Sequence, residues 1–408
     1  MTRTPKPVPF WALTVVAVLA VCLFVQCGRT EVRAAEQSLE ERATSVRWDP
    51  QVESQNPAED ALPELRVAYL PATHDALLFI ALHQKFFASQ GVLVDPRKYA
   101  NSPKALQALE AGEVDIAIPG IAAPIYKVAT GSNLTAIGGA AWYSAAIVSP
   151  VEIAVKVPAE GTTRDLLLPF ANRTIGTITQ STGDAVLRAK VREVGLAKDI
   201  VLQVYDSPTQ LTQALLTGEV DAALLWSPHM TLVEDRSSGM EIALWMSKLT
   251  RHPCCRQICL PEVVGAKRDL LVRYMSALIL AKRFLLDRDN AEQCLQAVRQ
   301  FIPGTNESVL RKELLQYDTR AGHARTEVSP NGSSYDVSRY GDMMSEAGLI
   351  NGKSVPRVRR MVDDSILRDA YRLVYPKLSP EQASECANAG LNPPKYLEGM
   401  QPVVRGGK

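Results

Sequence analysis

Five stretches of this 408-residue chain combine residues that can hold a small molecule, each at a strand end or a helix start. The loop from Tyr69 to His74 leads into a helix whose free N–H groups can meet an anionic or polar group, and His74 can donate or accept. In Pro119–Pro124, Gly120 lets a ligand approach the backbone. Trp142 and Tyr143, followed by Ser144, offer flat surfaces with one polar handle each. The run Thr179-Gln180-Ser181-Thr182-Gly183-Asp184 opens a helix with hydroxyls and a glycine, a cradle for an oxyanion. It has neither the spacing nor the lysine of a nucleotide-binding loop. Trp226-Ser227-Pro228-His229 is the strongest candidate, because it holds the same place in its half of the chain as Pro119–Pro124 holds in the other. Each stretch also has a plain reading as a loop histidine, a strand-to-helix turn, core packing or a helix cap. Trp142 and Trp226 are expected to face each other's half, with Thr179–Gly183 as the polar wall.

His252-x-Cys254-Cys255-x3-Cys259 is the other cluster able to carry chemistry. Thiolates and imidazole suit zinc or copper, but paired Cys-x2-Cys spacing is missing. Buried structural thiols, a disulfide and a metal or ligand contact all stay open, and no metal site or cofactor is assigned. Downstream of the N-terminal segment the cysteines are Cys254, Cys255, Cys259, Cys294 and Cys386, an odd number, so at least one thiol has no intramolecular partner. No GxSxG elbow or HExxH helix occurs, and no catalytic residue is assigned.

An internal duplication indicates which elements position these residues. QALEAGEVDIAI (Gln107 to Ile118) returns as QALLTGEVDAAL (Gln213 to Leu224), with eight of twelve positions identical. Each copy follows a Ser-Pro pair, Ser102-Pro103 and Ser207-Pro208, with serine suited to the N-cap and proline to the first turn. Gly112 and Gly218 sit where a left-handed cap is needed. Upstream, LRVAYL (from Leu65) and RTIGTI (from Arg173) read as buried strands, each followed by a helix, a glycine (Gly91, Gly195) and another strand. Both halves therefore run strand, helix, strand, helix, strand, the pattern of a parallel sheet with right-handed crossovers. Asp115 and Asp221 recur by duplication at strand starts and look structural. Two α/β lobes whose strand ends face each other make a clamshell with a single cleft.

The chain resembles the type II periplasmic binding proteins of nitrate, sulfonate and taurine transporters, which also include thiamine-precursor binders. The carrying features are LRVAYLPATHDALLFIAL, the helix-Gly-Glu-Val-Asp unit in each half, HPCCR (His252 to Arg256), MMSEAGLI (Met343 to Ile350) and VDDSIL (Val362 to Leu367). The resemblance implies a two-lobed α/β fold with a parallel-rich sheet flanked by helices in each lobe. Lobe I comprises 63–149 plus 250–300, lobe II 150–249, with a helical extension, 301–378, packed on lobe I and a loose tail, 379–408. The chain crosses between lobes near 151–155 and 244–249. The implied function is capture of a small organic or oxyanionic solute by an extracytoplasmic monomer, which delivers it to an ABC permease and its ATPase. An enzyme on the same fold would instead need His74, His229, His252 and Cys254 or Cys255 to converge, and a sensory binding protein would use the same cleft for another partner.

Composition agrees with an exported globular chain. Hydrophobic residues are 46%, charged residues 22% and the net charge +1, without the basic excess that nucleic-acid binding needs. Arg3 and Lys6 precede an uncharged run from Pro7 to Val25, which reads as an export signal or membrane anchor over 1–27. Cys27-Gly28 suits lipid attachment at Cys27, although Phe24-Val25-Gln26 is a poor lipobox. An uncleaved anchor or cleavage after Ala34 are the alternatives. Residues 28–62 are polar and read as a flexible tether.

Overall fold

A computed structural model describes residues 51–53, 62–390, 394–397 and 399–405. The export segment, Cys27 and most of the tether lie outside these residues. Among the described residues, no helix is long and apolar enough to cross a membrane.

The first half of the duplication builds β1 (Glu64–Tyr69), α1 (Ala76–His83), β2 (Leu93–Lys98), α2 (Ser102–Glu110), β3 (Ile116–Ala117), α3 (Ala122–Ala129) and β4 (Thr135–Trp142). Strand β1 is the centre of a parallel triplet, with Val67 opposite Pro96 on one side and Ile116 on the other. The second half repeats this with β5 (Ala145–Pro150), β6 (Arg173–Ile178), α4 (Thr182–Glu193), β7 (Ile200–Tyr205), α5 (Pro208–Leu216), β8 (Ala222–Trp226), α6 (His229–Arg236) and β9 (Met240–Trp245). There β6 pairs in parallel with β7 and β8. Strand β10 (Pro253–Cys259) returns to the first sheet, and β11 (Glu327–Val328) adds to its edge. The sheets are separate, ordered β11-β4-β10-β3-β1-β2 and β9-β5-β8-β6-β7.

The duplicated residues do the same work twice. Asp115 accepts the Arg66 backbone N–H at 3.0 Å, and Asp221 accepts that of Thr174 at 2.7 Å, each tying the Gly-Glu-Val-Asp turn to the opening strand of its sheet. Gly112 and Gly218 have φ of 72° and 74°, the left-handed cap conformation that glycine adopts without a Cβ penalty. The caps differ. Ser207 caps α5, accepting from the Gln210 N–H, whereas α2 is capped by Asn101, not Ser102. Ser102 is freed to accept the Gly120 N–H at 3.1 Å.

Outside the parallel triplets both sheets are antiparallel: β10 with β3 and β4, and β5 with β8 and β9. A strand that leaves or re-enters a lobe without a crossover helix must run against its neighbours. The first crossing lies at Tyr143–Ser144, between β4 and β5, upstream of the expected 151–155. Both residues take left-handed backbone, φ 61° and 45°, with no glycine to signal it. The second crossing falls between β9 and β10.

Beyond β10 come α7 (Arg268–Leu286), α8 (Ala291–Phe301), α9 (Glu307–Leu314), α10 (Ser334–Glu346) and α11 (Ser365–Val374). Leu271, Tyr274 and Leu278 of α7 share the first core with Leu77 and Phe79 of α1 and Ile366 of α11. The extension does not stop at the first sheet. Tyr340 of α10 donates to the Thr182 carbonyl at 2.7 Å, and Glu313 of α9 bonds Thr231 of α6. The tail expected to be loose contains a helix, Pro380–Asn388, with a Ser379/Gln382 capping box and Ala383, Cys386 and Ala387 buried. Val403–Arg405 pairs in parallel with Gln51–Glu53, so part of the presumed tether is a strand.

Candidate functional site

The ends of β1, β3, β6 and β8 lead into loops that meet between the sheets. Ser181 caps α4 by accepting the Asp184 N–H at 3.2 Å, after a left-handed turn at Gln180 (φ 52°). This turn presents the first residues of α4 to the first lobe. Thr182 donates its hydroxyl to the Cys254 carbonyl at 3.3 Å. It fits there because residue 120 is glycine: a Cβ at that position would lie 2.7 Å from Thr182 Oγ1. Gly183 serves the other side of the helix, where a Cβ would press on Leu224 at 3.1 Å. Asn101 Nδ2 donates to the Asp206 carbonyl at 3.2 Å, a further bond between the halves.

His74 lies buried in a short 3-10 turn, and neither ring nitrogen has a hydrogen-bond partner. Burial, reinforced by His229 across the cleft, lowers its pKa to about 3. Burial likewise raises the Asp75 carboxyl well above its ordinary range, against the pull of the Leu70 N–H on Oδ2. The 3.7 Å between His74 Nε2 and Asp75 Oδ1 therefore separates two neutral groups and is no ion pair. His229 is only partly covered by surface area, yet its ring is enclosed enough that burial lowers it to about 4. Its ring stands edge-on to the half-buried Trp226 at 6.3 Å. Ser227 is buried and ties β8 to the crossing by donating its N–H to the Ser144 carbonyl at 3.0 Å.

Two predicted residues have other jobs. Trp142 is fully buried, with the guanidinium groups of Arg251 and Arg256 5.1 and 4.9 Å from its ring. Its backbone pairs with Pro253 of β10 beside a bulge and with Glu327 of β11. Tyr69 turns its ring into the first core, edge-on to Phe79 and Phe301 at 5.3 and 5.9 Å. Tyr143 stays at the crossing, stacked on His323 at 4.5 Å and edge-on to His252.

Arg256 entered the sequence reading only as the last residue of the HPCCR segment, with no role assigned to its side chain. It is 1% exposed, and Nη1 donates to the Ala141 and Cys255 carbonyls while Nε and Nη2 have no acceptor. Burial lowers its pKa to about 10, which leaves it charged at neutral pH. The neighbouring Cys254 sulfur receives the Ser144 hydroxyl at 3.2 Å. All five described cysteines are buried free thiols, and among the described residues no three His, Cys, Asp or Glu side chains converge as metal ligands. The meeting of the lobes thus joins uncharged imidazoles, hydroxyls and a helix start, with the buried Arg256 cation on the neighbouring strand β10.

Solved structures share this architecture. The alkanesulfonate-binding protein SsuA of Xanthomonas axonopodis pv. citri is 19% identical, with a TM-score of 0.58 over 76% of this chain and 99% of its own. The periplasmic nitrate-binding protein NrtA of Synechocystis PCC 6803 is 13% identical, with a TM-score of 0.63 over 81% of this chain and 99% of its own. A curated protein of Brucella abortus strain 2308 is 24% identical over 161 residues, 40% of this chain and 47% of its own length. The chain thus spans about half the length of the curated relatives it matches. The sequence pattern of the NMT1-like family matches residues 58–299, well over half of the chain, and the protein belongs to that family.

Proposed function

We propose that this protein is the extracytoplasmic solute-binding component of an ABC importer, and that it takes a small organic or oxyanionic solute between its lobes. The observation that carries this reading is the buried polar meeting of the lobes, where His74 and His229 are near enough to act on each other electrostatically and Thr182 reaches Cys254 beside Gly120. Buried polar groups without partners are costly unless something satisfies them. The imidazole nitrogens of His74 and the Nε–Nη2 edge of Arg256 are such groups. That edge matches the two oxygens of a carboxylate or sulfonate, and a single cation suits a monoanion.

In this reading 63–149 plus 250–300 form lobe I, adjusted by the crossing at Tyr143–Ser144, and 150–249 form lobe II. Gln180, Ser181, Thr182, Gly183, Trp226, Ser227 and His229 line the second lobe's side, with His74, Gly120 and Tyr143 opposite. The N-terminal segment exports the chain and tethers it, through a lipid on Cys27 or an uncleaved helix. The monomer then presents its closed form to the permease and ATPase. Mass spectrometry of solute released from natively purified protein tests the proposal, with rebinding to Trp226→Ala as the second arm. A chain that releases nothing and binds none of a panel of sulfonates, carboxylates and heterocycles refutes it, and turnover of a bound compound would establish an enzyme instead. If Cys27→Ser leaves the protein membrane-bound, the hydrophobic helix is the tether.

A further inference from the structure

Cys254 and Cys255 are adjacent in sequence and should point to opposite faces of β10, as neighbours in a strand do. They do not. The pairing of β10 with β4 slips between Pro253 and Cys255 and again between Cys255 and Arg256. A bulge of this kind re-aims side chains, and here it brings the two sulfurs within 3.4 Å. The peptide joining the residues carries the Cys254 carbonyl. That carbonyl accepts the Ile121 N–H of the first lobe at 2.7 Å and the Thr182 hydroxyl of the second at 3.3 Å. The Cys254 sulfur itself receives the hydroxyl of Ser144, one of the two crossing residues. The thiol pair, the lobe contact and the crossing therefore share a few bonds.

We propose that Cys254 and Cys255 form a redox-active dithiol, which a small-molecule disulfide converts to a vicinal disulfide when the lobes part, and which then resists their closing. In the chemistry, the Cys254 thiolate attacks one sulfur of R–S–S–R and expels R–S⁻, leaving a mixed disulfide. The Cys255 thiolate attacks the Cys254 sulfur and expels the second R–S⁻. The two thiol protons end on the two R–SH molecules, and the two electrons of the new R–SH pair come from the protein thiols. Hydrogen bonding from Cys255, then the Ser144 hydroxyl and Arg256, favour the attacking thiolate at Cys254 against its burial, while burial pushes the Cys255 thiol up, so Cys254 attacks first and Cys255 ionises once uncovered. Both residues are buried, at 6% and 1% exposure, at the margin of the first core, so the reaction needs β10 uncovered, as parting of the lobes at the Thr182 contact would do. Shortening 3.4 Å to a disulfide's length of about 2.05 Å must turn the intervening peptide. That turn removes the carbonyl from Thr182 and loosens the contact between the lobes. An extracytoplasmic site makes the chemistry accessible, since disulfides persist there. The proposal does not depend on which solute, if any, the cleft takes.

The full chain is incubated with oxidised glutathione, or with dithiothreitol as the reduced control, then denatured, alkylated and digested. The expected result is a peptide spanning Cys254 and Cys255 that lacks two hydrogens and has lost both alkylation sites, restored by dithiothreitol. Solution scattering should give a larger radius of gyration for the bridged protein than for the reduced one. Cys255→Ser should show no such shift under the same oxidant, whereas Cys294→Ser should shift like the parent. The parent chain decides the matter alone if Cys255→Ser fails to fold. Two alkylatable thiols at 254 and 255 after oxidant treatment overturn the proposal, as does a bridged protein whose scattering equals that of the reduced form. A chain that binds no solute yet forms the bridge and opens would sink the transport reading and leave this one standing.

Discussion

Gly120→Ala isolates lobe closure from folding. The backbone at Gly120 is outside the left-handed region, so alanine brings no conformational strain within the first lobe. Its Cβ would lie 2.7 Å from Thr182 Oγ1, short of the 3.4 Å at which ordinary contact begins, and 3.6 Å from the Thr182 backbone N. The hydroxyl can turn away only by giving up its bond to the Cys254 carbonyl, worth about 1 kcal/mol. If it stays, the lobes must separate by several tenths of an ångström, and overpacking of this kind costs about 1–3 kcal/mol. The closed state should therefore be disfavoured by about 1–3 kcal/mol, which weakens any ligand that needs closure by roughly 5- to 150-fold. Calorimetric titration with solute recovered from native protein measures the affinity, and thermal unfolding measures the stability. Affinity should fall while the melting temperature of the solute-free protein moves little. Removing the opposing atom with Thr182→Ala should relieve part of the loss, so the two substitutions should be non-additive. Unchanged affinity in Gly120→Ala, or strict additivity in the pair, would refute the closure geometry.

Further outcomes follow from the same contacts. Trp226→Ala should weaken solute binding by about 2 kcal/mol or more, and Ser181→Ala by about 1, because an aromatic anchor also excludes water; equal binding by Trp226→Ala and the parent in fluorescence titration would remove this residue from the site. Asp115→Ala should lower the free energy of urea unfolding by about 2 kcal/mol without changing solute affinity, since its oxygens serve the Arg66 N–H and side chain and Lys267. Glu313→Ala should cost about 3 kcal/mol, because it strips the buried acceptor from Thr231 and Thr326 beside Arg325; a loss below 1 kcal/mol in the same assay would show that the α9–α6 contact holds nothing. His74, lowered to about 3 in the folded protein, binds its proton only in the unfolded chain between about pH 6.5 and that value. Its neutral burial thus contributes stability that is present above pH 6.5 and is lost as pH falls, by about 1.4 kcal/mol per pH unit. Denaturation across pH 4–6.5 should accordingly show a flatter slope for His74→Asn than for the parent, and identical slopes would contradict the neutral assignment.

The duplicated halves were legible because local rules govern them. Left-handed glycines, capped helices and buried strands recur at the same spacing, and each needs only its own few residues to form. The loops at the strand ends followed from them, and they include Gly120, Thr182 and His229. The partners of Trp142 were not legible, because an aromatic residue at a strand end has the same sequence signature whether it lines a cleft or packs with Arg251, Arg256 and a strand nearly two hundred residues away. Cap assignment failed at Ser102 for a related reason, since Asn101 and Ser102 are both capable and the need of the Gly120 N–H for an acceptor settled the matter.

Local pattern alone determined the repeat, the order of strands and helices within each half, and the places where the chain changes from strand to helix. Only the tertiary structure decided that two left-handed residues, Tyr143 and Ser144, carry the first crossing, that the C-terminal extension ties to both lobes, and that a double bulge turns two adjacent cysteines the same way. The physical reason is range: periodicity and capping act over a few residues, whereas burial, cation–π stacking and strand register depend on partners that sequence spacing does not specify.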